Sequence, residues 1–265
     1  MPAGEKHESA KMKRKNCYYC GQPATSLEHV PPKCIFPEGK DAFDRDYRKN
    51  LITVPSCDQH NLLKSKDDEF LMVCLTPTVG NNAAGIIQTR SKLRRAFDAT
   101  DGRLLKTAIR ATKKVTLVTP DGTKFPALVG QHADLRRLHA ALEHVARGLY
   151  FHATGNRFVG ACVTFPAFIK YPDDPDLDVI RMIGGRLMAQ EKDKWAVYGD
   201  NPDIFQYRLG PTDQYGLIPM LMTFFGGSEV YVSFQPEGVK LPFRTLDEAT
   251  PENPIIVDVR ISEKN

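Results

Sequence analysis

Two pairs of soft metal ligands, Cys17-x2-Cys20 and Cys57-x2-His60, constrain this chain more than any other feature of its sequence. Each pair sits on its own turn. Together they can close a tetrahedral shell of sulfur and nitrogen around one ion, the coordination taken by structural zinc sites. Such a shell ties the turn at Cys17 to the turn at Cys57 and compensates for a segment with little core of its own. Gly21 directly follows the first pair and no thioredoxin-like strand precedes it, which favours a metal site over a redox dithiol or two incidental cysteines. Cys34 is a competing fourth ligand. It follows Pro31-Pro32-Lys33 without a paired partner and is expected to pack inward. Cys74 and Cys162 stand in apolar surroundings and read as small buried hydrophobes.

Four of the six cysteines fall within the first 57 residues. Clustering of this kind suits metal binding in a reducing compartment better than a disulfide scaffold. Residues 1–16 are polar and lysine-rich, without the apolar stretch of a signal peptide. No run approaches the roughly 20 apolar residues that cross a bilayer. The expectation is a soluble cytoplasmic protein with a disordered basic tail over residues 1–15. Charge is unevenly spread. Residues 1–66 hold 12 Lys/Arg against 8 Asp/Glu, residues 67–114 hold 9 against 5, and residues 115–265 hold 15 against 19. The basic surplus thus lies with the ligand pairs, as suits a surface that meets phosphate; a solvated lysine-rich face is the simpler alternative.

The pattern predicts an α+β protein: a small ββα module stabilised by zinc, followed by a larger α+β domain with an antiparallel sheet. In the module, Ser26 to Val30 reads as a strand halted by Pro31-Pro32, Leu51 to Val54 as a second strand, and Asp58 to about Val73 as a helix capped by Asp58. The module spans 16–75. Thr76 to Gly85 is a break. Ile86 to about Thr112 reads as helical and basic, opposed only by Asp98 and Asp101, making 76–114 a connector. Val115–Thr119 and Phe125–Val129 flank Pro120-Asp-Gly122 as a hairpin. Leu135, Leu138, Leu142, Val145 and Leu149 recur at helical spacing over about 132–151. Strands near 159–165, 195–198, 204–209, 217–225 and 229–234, with a helix over 176–190, complete a domain over 115–265. His132, His139, His144 and His152 show no ligand spacing on one face and read as surface or packing residues.

The combined motif Cys17-x2-Cys20, Glu28-His29-Val-Pro, Asn50-Leu and Cys57-x2-His60-Asn61-x2-Lys64 resembles the zinc-containing HNH, or ββα-metal, endonucleases. The resemblance covers about a fifth of the chain. Phage Holliday-junction resolvases of this class carry an asparagine directly after the last zinc ligand, as Asn61 follows His60. The chain departs from them in one ligand, histidine where cysteine is usual, and both residues bind zinc well.

The resemblance implies phosphodiester hydrolysis, with His29 as general base and Glu28 and Asn61 as oxygen ligands for a catalytic Mg²⁺ or Mn²⁺. The chemistry is coherent. Imidazole titrates near neutrality, and a hard divalent ion prefers oxygen ligands and retains waters and a phosphate oxygen. Glu28 and His29 point to opposite faces of a flat strand, so the resemblance implies a bend there. Asn50 is implied to pin the intervening loop and orient His29. Lys64, Arg90, Arg94 and Arg95 are candidate contacts to a DNA backbone, with RNA as an alternative substrate. Asp67, Asp68 and Glu69 could supply another ligand, although a solvated acidic turn is simpler. The expected function is a metal-dependent DNA endonuclease in restriction or anti-phage defence. The rivals are a non-catalytic zinc-dependent nucleic-acid-binding protein and an effector subunit activated through residues 115–265, which could also form a homodimer or bind a partner protein.

Overall fold

A computed structural model describes residues 16–41, 45–62, 65–118, 121–132, 134–169 and 175–239. The tail over 1–15 lies outside the described residues. The protein is mixed helix and sheet. A two-stranded antiparallel ribbon, β1 (Ser26–His29) and β2 (Thr53–Ser56), pairs Glu28 with Val54 and His29 with Thr53. The second strand starts two residues later than its apolar pattern suggests and takes in Pro55. With only one partner strand, a residue lacking an amide hydrogen breaks no sheet ladder, and the Pro55 carbonyl accepts the Tyr18 amide at 2.9 Å. Two helices follow, α1 (Asp58–Leu62) and α2 (Ser65–Leu75). Asp58, expected as a cap, lies in the first turn of α1, and its carboxylate accepts the Thr25 hydroxyl at 2.6 Å.

The basic stretch departs most from its expectation. It begins with α3 (Ala83–Gln88), capped by Asn82, whose side chain accepts the Gly85 amide. It continues through a π turn (Thr89–Leu93), α4 (Arg94–Ala99) and α5 (Arg103–Ala108). The helical run stops there. Residues expected at its end belong to β3 (Ile109–Val118), which pairs with β4 (Lys124–His132) from Ile109↔His132 to Val118↔Lys124. Thr112, Val115, Thr116 and Val118 are β-branched, and pairing of the whole length outweighs helix propensity.

The second half follows its periodicity closely. α6 (Leu135–Thr154) is capped by Asp134 and closed by Gly155 in the left-handed region (φ 73°). β5 (Gly160–Pro166), α7 (Pro175–Glu191), β6 (Val197–Asn201), β7 (Phe205–Leu209), β8 (Ile218–Phe224) and β9 (Ser228–Pro236) follow in order. The sheet is wholly antiparallel, in the order β5-β9-β8-β7-β6.

α6 connects the two halves because it is apolar on one side and contact-making on another. Leu138, Leu142, Val145 and Leu149 are all fully buried. Arg137, Ala141, His144 and Gly148, spaced by three or four, form a neighbouring face turned to the ligand-bearing region. Arg137 Nε donates to Asp67 Oδ1 at 2.7 Å and its guanidinium lies 4.3 Å from the Phe70 ring centre. At Gly148 the helix comes so close that an added Cβ would lie 2.7 Å from Val30 Cγ1. One hydrophobic cluster accordingly runs from Cys17, Val30 and Phe70 through α6 to Tyr207, Met222 and Phe234. It crosses both domain boundaries suggested by the sequence.

Candidate metal centre

The four ligand residues converge. The sulfur atoms of Cys17, Cys20 and Cys57 and a ring nitrogen of His60 lie within 4.8 Å of one another. Cys20 Sγ is 3.7 Å from Cys57 Sγ, and His60 Nδ1 is 3.2 Å from Cys57 Sγ and 3.9 Å from Cys17 Sγ. Bond lengths of about 2.3 Å to sulfur and 2.0 Å to nitrogen in a tetrahedron place ligand atoms about 3.5–3.8 Å apart. Donor type, number and spacing therefore fit zinc. Cys34 does not join them: its thiol donates to the Asp68 carbonyl at 3.3 Å. Burial pushes that thiol up to about 12, and burial does the same to Cys74 and Cys162. All three stay as neutral thiols.

Local backbone geometry builds the centre. Gly21 adopts a positive φ of 79°, allowing its amide to reach the Cys17 carbonyl at 3.0 Å and close the first turn. The amides of His60 and Asn61 both donate to the Cys57 carbonyl, so the second ligand pair opens α1. Burial opposes ionisation of Cys17, but backbone amides of Cys20, Cys57 and Tyr19 favour the thiolate and bring its pKa below the usual thiol value. An amide-stabilised thiolate is the form that binds a metal.

Around these four residues lies a shell of aromatic and polar groups that spacing alone does not reveal. Tyr19 packs against His60, with ring centres 4.6 Å apart, and stacks on His144 at 4.2 Å and 8°, while the two histidine rings lie 5.9 Å apart. Arg147 lies 5.4 Å from the Tyr19 ring centre. Tyr18, fully buried, donates to Glu28 Oε1 at 3.3 Å. Asn61 Nδ2 donates to the Ser26 hydroxyl at 2.8 Å, joining α1 to β1. The sequence signal missed for His144 is its place on the Arg137–Ala141–His144–Gly148 face. For Tyr18 and Tyr19 it is their position between the first two cysteines.

The remaining candidates are less closely gathered. Glu28 is 5% exposed and points inward, whereas Leu27 is 44% exposed and His29 is partly covered. The chain bends at Val30, just past His29. Burial and then Lys33 lower the His29 pKa, and the Glu28 carboxylate works the other way. Burial also lowers that of His60, again opposed by Glu28. Glu28 thus lies within electrostatic reach of both imidazoles. Asn50 is exposed and sits in the left-handed region (φ 54°), a turn conformation asparagine tolerates; among the described residues its side chain has no hydrogen bond.

Of the basic candidates, Lys64 lies outside the described residues. Arg90 and Arg94 are exposed, and Arg94 Nε reaches Asp98 Oδ2 at 3.9 Å. Arg95 is engaged: it forms a bidentate pair with Asp41 at 2.9 and 2.6 Å. Lys92 and Arg48 likewise both reach Glu38, at 3.5 and 3.4 Å. The loop before β2 therefore supplies two acids against the basic helices, beyond Asp98 and Asp101. Among the described residues, no helix is long and apolar enough to cross a membrane. No family model, curated protein or solved structure matches the chain.

Proposed function

We propose that this protein is a metal-dependent endonuclease of the HNH type, in which Cys17, Cys20, Cys57 and His60 hold a structural zinc. The observation that carries the reading is the Cys3His group joined to a strand–strand–helix frame, with Glu28-His29 on the first strand and Asn61 directly after the last ligand. His29 accepts a proton from the attacking water; burial favours the neutral ring that this task needs. The Ser26 hydroxyl holds the Asn61 amide nitrogen and so orients its carbonyl oxygen as the acceptor end. A divalent ion such as Mg²⁺ or Mn²⁺, when bound at the Glu28 and Asn61 oxygens, supplies charge neutralisation at the phosphate. DNA is the proposed substrate because the basic surplus lies in residues 1–114.

The docking of α6 onto Tyr19 favours a second reading, a nuclease subunit whose centre is governed by a ligand or partner of the second half. The test uses supercoiled plasmid with zinc-loaded protein and Mg²⁺, Mn²⁺ or EDTA, with His29→Ala and duplex RNA in parallel. Metal-dependent nicking that His29→Ala abolishes, with zinc content unchanged, supports the first reading. Binding without cutting under every metal makes the protein a zinc-dependent nucleic-acid binder instead.

A further inference from the structure

The β3–β4 hairpin is a two-stranded ribbon whose principal packing outside itself is onto α5, with Ile109 at its base resting on the core. Among the side chains described beyond that base, Thr112, Lys113, Lys114, Thr116, Lys124 and Pro126 all face solvent, and Val118 is 59% exposed. Residues 103–132 carry six Lys/Arg against a single acid, Asp121. Asp121 is itself occupied in the turn, accepting the Thr123 amide at 3.2 Å. Strand alternation gives the two faces different chemistry. Thr112, Lys114, Thr116 and Val118 share one face with Lys124, opposite Val118, and Pro126, opposite Thr116. Val115, on the other face, is partly covered. The open face thus carries the ammonium groups of Lys114 and Lys124 and the hydroxyls of Thr112 and Thr116 beside Val118 and Pro126, while Lys113 is exposed on the other face with Val115.

We propose that this ribbon is an arm that enters the major groove of duplex DNA, with Lys114 and Lys124 meeting phosphates and Thr112 and Thr116 turned toward base edges. The proposal rests on the nucleic-acid reading above and adds the surface and the form of the nucleic acid. Dimensions support it. Two paired strands about 5 Å apart fit a groove about 12 Å wide. Ten residues of β3 reach roughly 30 Å, close to one turn of B-DNA. Threonine hydroxyls can bond either donors or acceptors on base edges. The deep, narrow major groove of duplex RNA does not admit such a ribbon, which selects DNA. Charge on the ribbon also lies apart from the Glu38 and Asp41 pairs that engage the basic helices.

The experiment compares wild type with Lys114→Glu/Lys124→Glu and with the matching double Lys→Arg variant, zinc-loaded and without Mg²⁺ or Mn²⁺. Binding to a fluorescent DNA duplex, an RNA duplex and anionic phosphatidylserine vesicles is measured across a salt series, and plasmid nicking is assayed separately with Mg²⁺. The Glu variant should weaken DNA binding about tenfold or more and lower the log–log salt slope by about 2, while the Arg variant keeps both. Circular dichroism and zinc content should stay at wild-type values, since these side chains are exposed. Wild type that nicks plasmid with a Glu variant that binds DNA equally well overturns the arm and leaves the nuclease reading intact. DNA binding that falls in the Glu variant without nicking by wild type supports the arm and removes the nuclease reading. Equal binding of duplex RNA, or binding to vesicles alone, overturns the groove assignment.

Discussion

β1–β2 and β8–β9 are both antiparallel pairs, but they are held by different means. β1 and β2 have four residues each, include Pro55 and Ser56, and alternate poorly between covered and open positions. β9 alternates buried and half-covered residues over most of its nine positions, and five of the seven residues of β8 are buried. The longer pair lies within a five-stranded sheet against α6, where apolar area removed from water, at about 25 cal/mol per Å², accounts for its order. Cys17, Cys20, Cys57 and His60 converge beside the shorter pair as a possible metal site. One region has four possible metal ligands beside a share of the core, the other rests on burial alone. α6 belongs to both.

Removing the ligands should separate the two regions most sharply. Cys57→Ser, or chelation of the wild type, should lower zinc from one equivalent to none and reduce stability by roughly 5 kcal/mol, a fall in Tm of about 10–20 °C. Hydrogen exchange should accelerate across β1, β2 and α1 and stay slow in β8 and β9. Equal acceleration in both would show that burial and ligation form one cooperative unit, and the contrast would fail.

The same contrast explains what the sequence reveals. Ligand spacing alone finds the centre, because a tetrahedral shell tolerates few alternatives. Helical spacing of Leu138, Leu142, Val145 and Leu149 finds α6, because an apolar stripe must be covered. Neither signal reaches the contacts between the regions. His144 and Gly148 carry no apolar signature, and their importance comes from Tyr19 and Val30, more than a hundred residues earlier in the chain. The basic stretch misleads for a related reason. Arg110, Lys113 and Lys114 suit a helix by propensity, and only pairing with Lys124–His132 settles them in a strand.

Gly148 tests whether the regions are docked as tightly as the geometry requires. Gly148→Ala should cost about 1–3 kcal/mol through crowding against Val30, despite the better helix propensity of alanine. Val30→Ala in the same protein should recover part of that loss, giving a coupling energy in a urea double-mutant cycle. Simple additivity would mean that the contact yields freely. A smaller effect is expected at His144→Ala, which removes the ring stacked on Tyr19. It should lower stability by about 0.5–1.5 kcal/mol and speed zinc loss to a colorimetric chelator, even though His144 is not a ligand.

The weakest expected effect is acid sensitivity on the burial-held side. His139 bonds Thr164 at 2.9 Å, joining α6 to β5, and His152 bonds the Tyr207 hydroxyl at 2.8 Å, joining α6 to β7. Burial lowers the pKa of both rings from the ordinary 6.5, opposed at His139 by a hydrogen bond to the Thr164 backbone and at His152 by Asp200. A depressed folded-state pKa means that the unfolded chain binds more protons in the window just below 6.5. Stability from these rings is therefore complete above about pH 6.5 and declines as pH falls through that value toward the folded pKa. Urea midpoints should drop between pH 7.5 and 5.5, and His139→Gln/His152→Gln should flatten the dependence in zinc-saturated protein. If the slope survives in that variant but vanishes in zinc-free protein, acid sensitivity belongs to the ligated side, and the burial-held side is the less pH-dependent of the two.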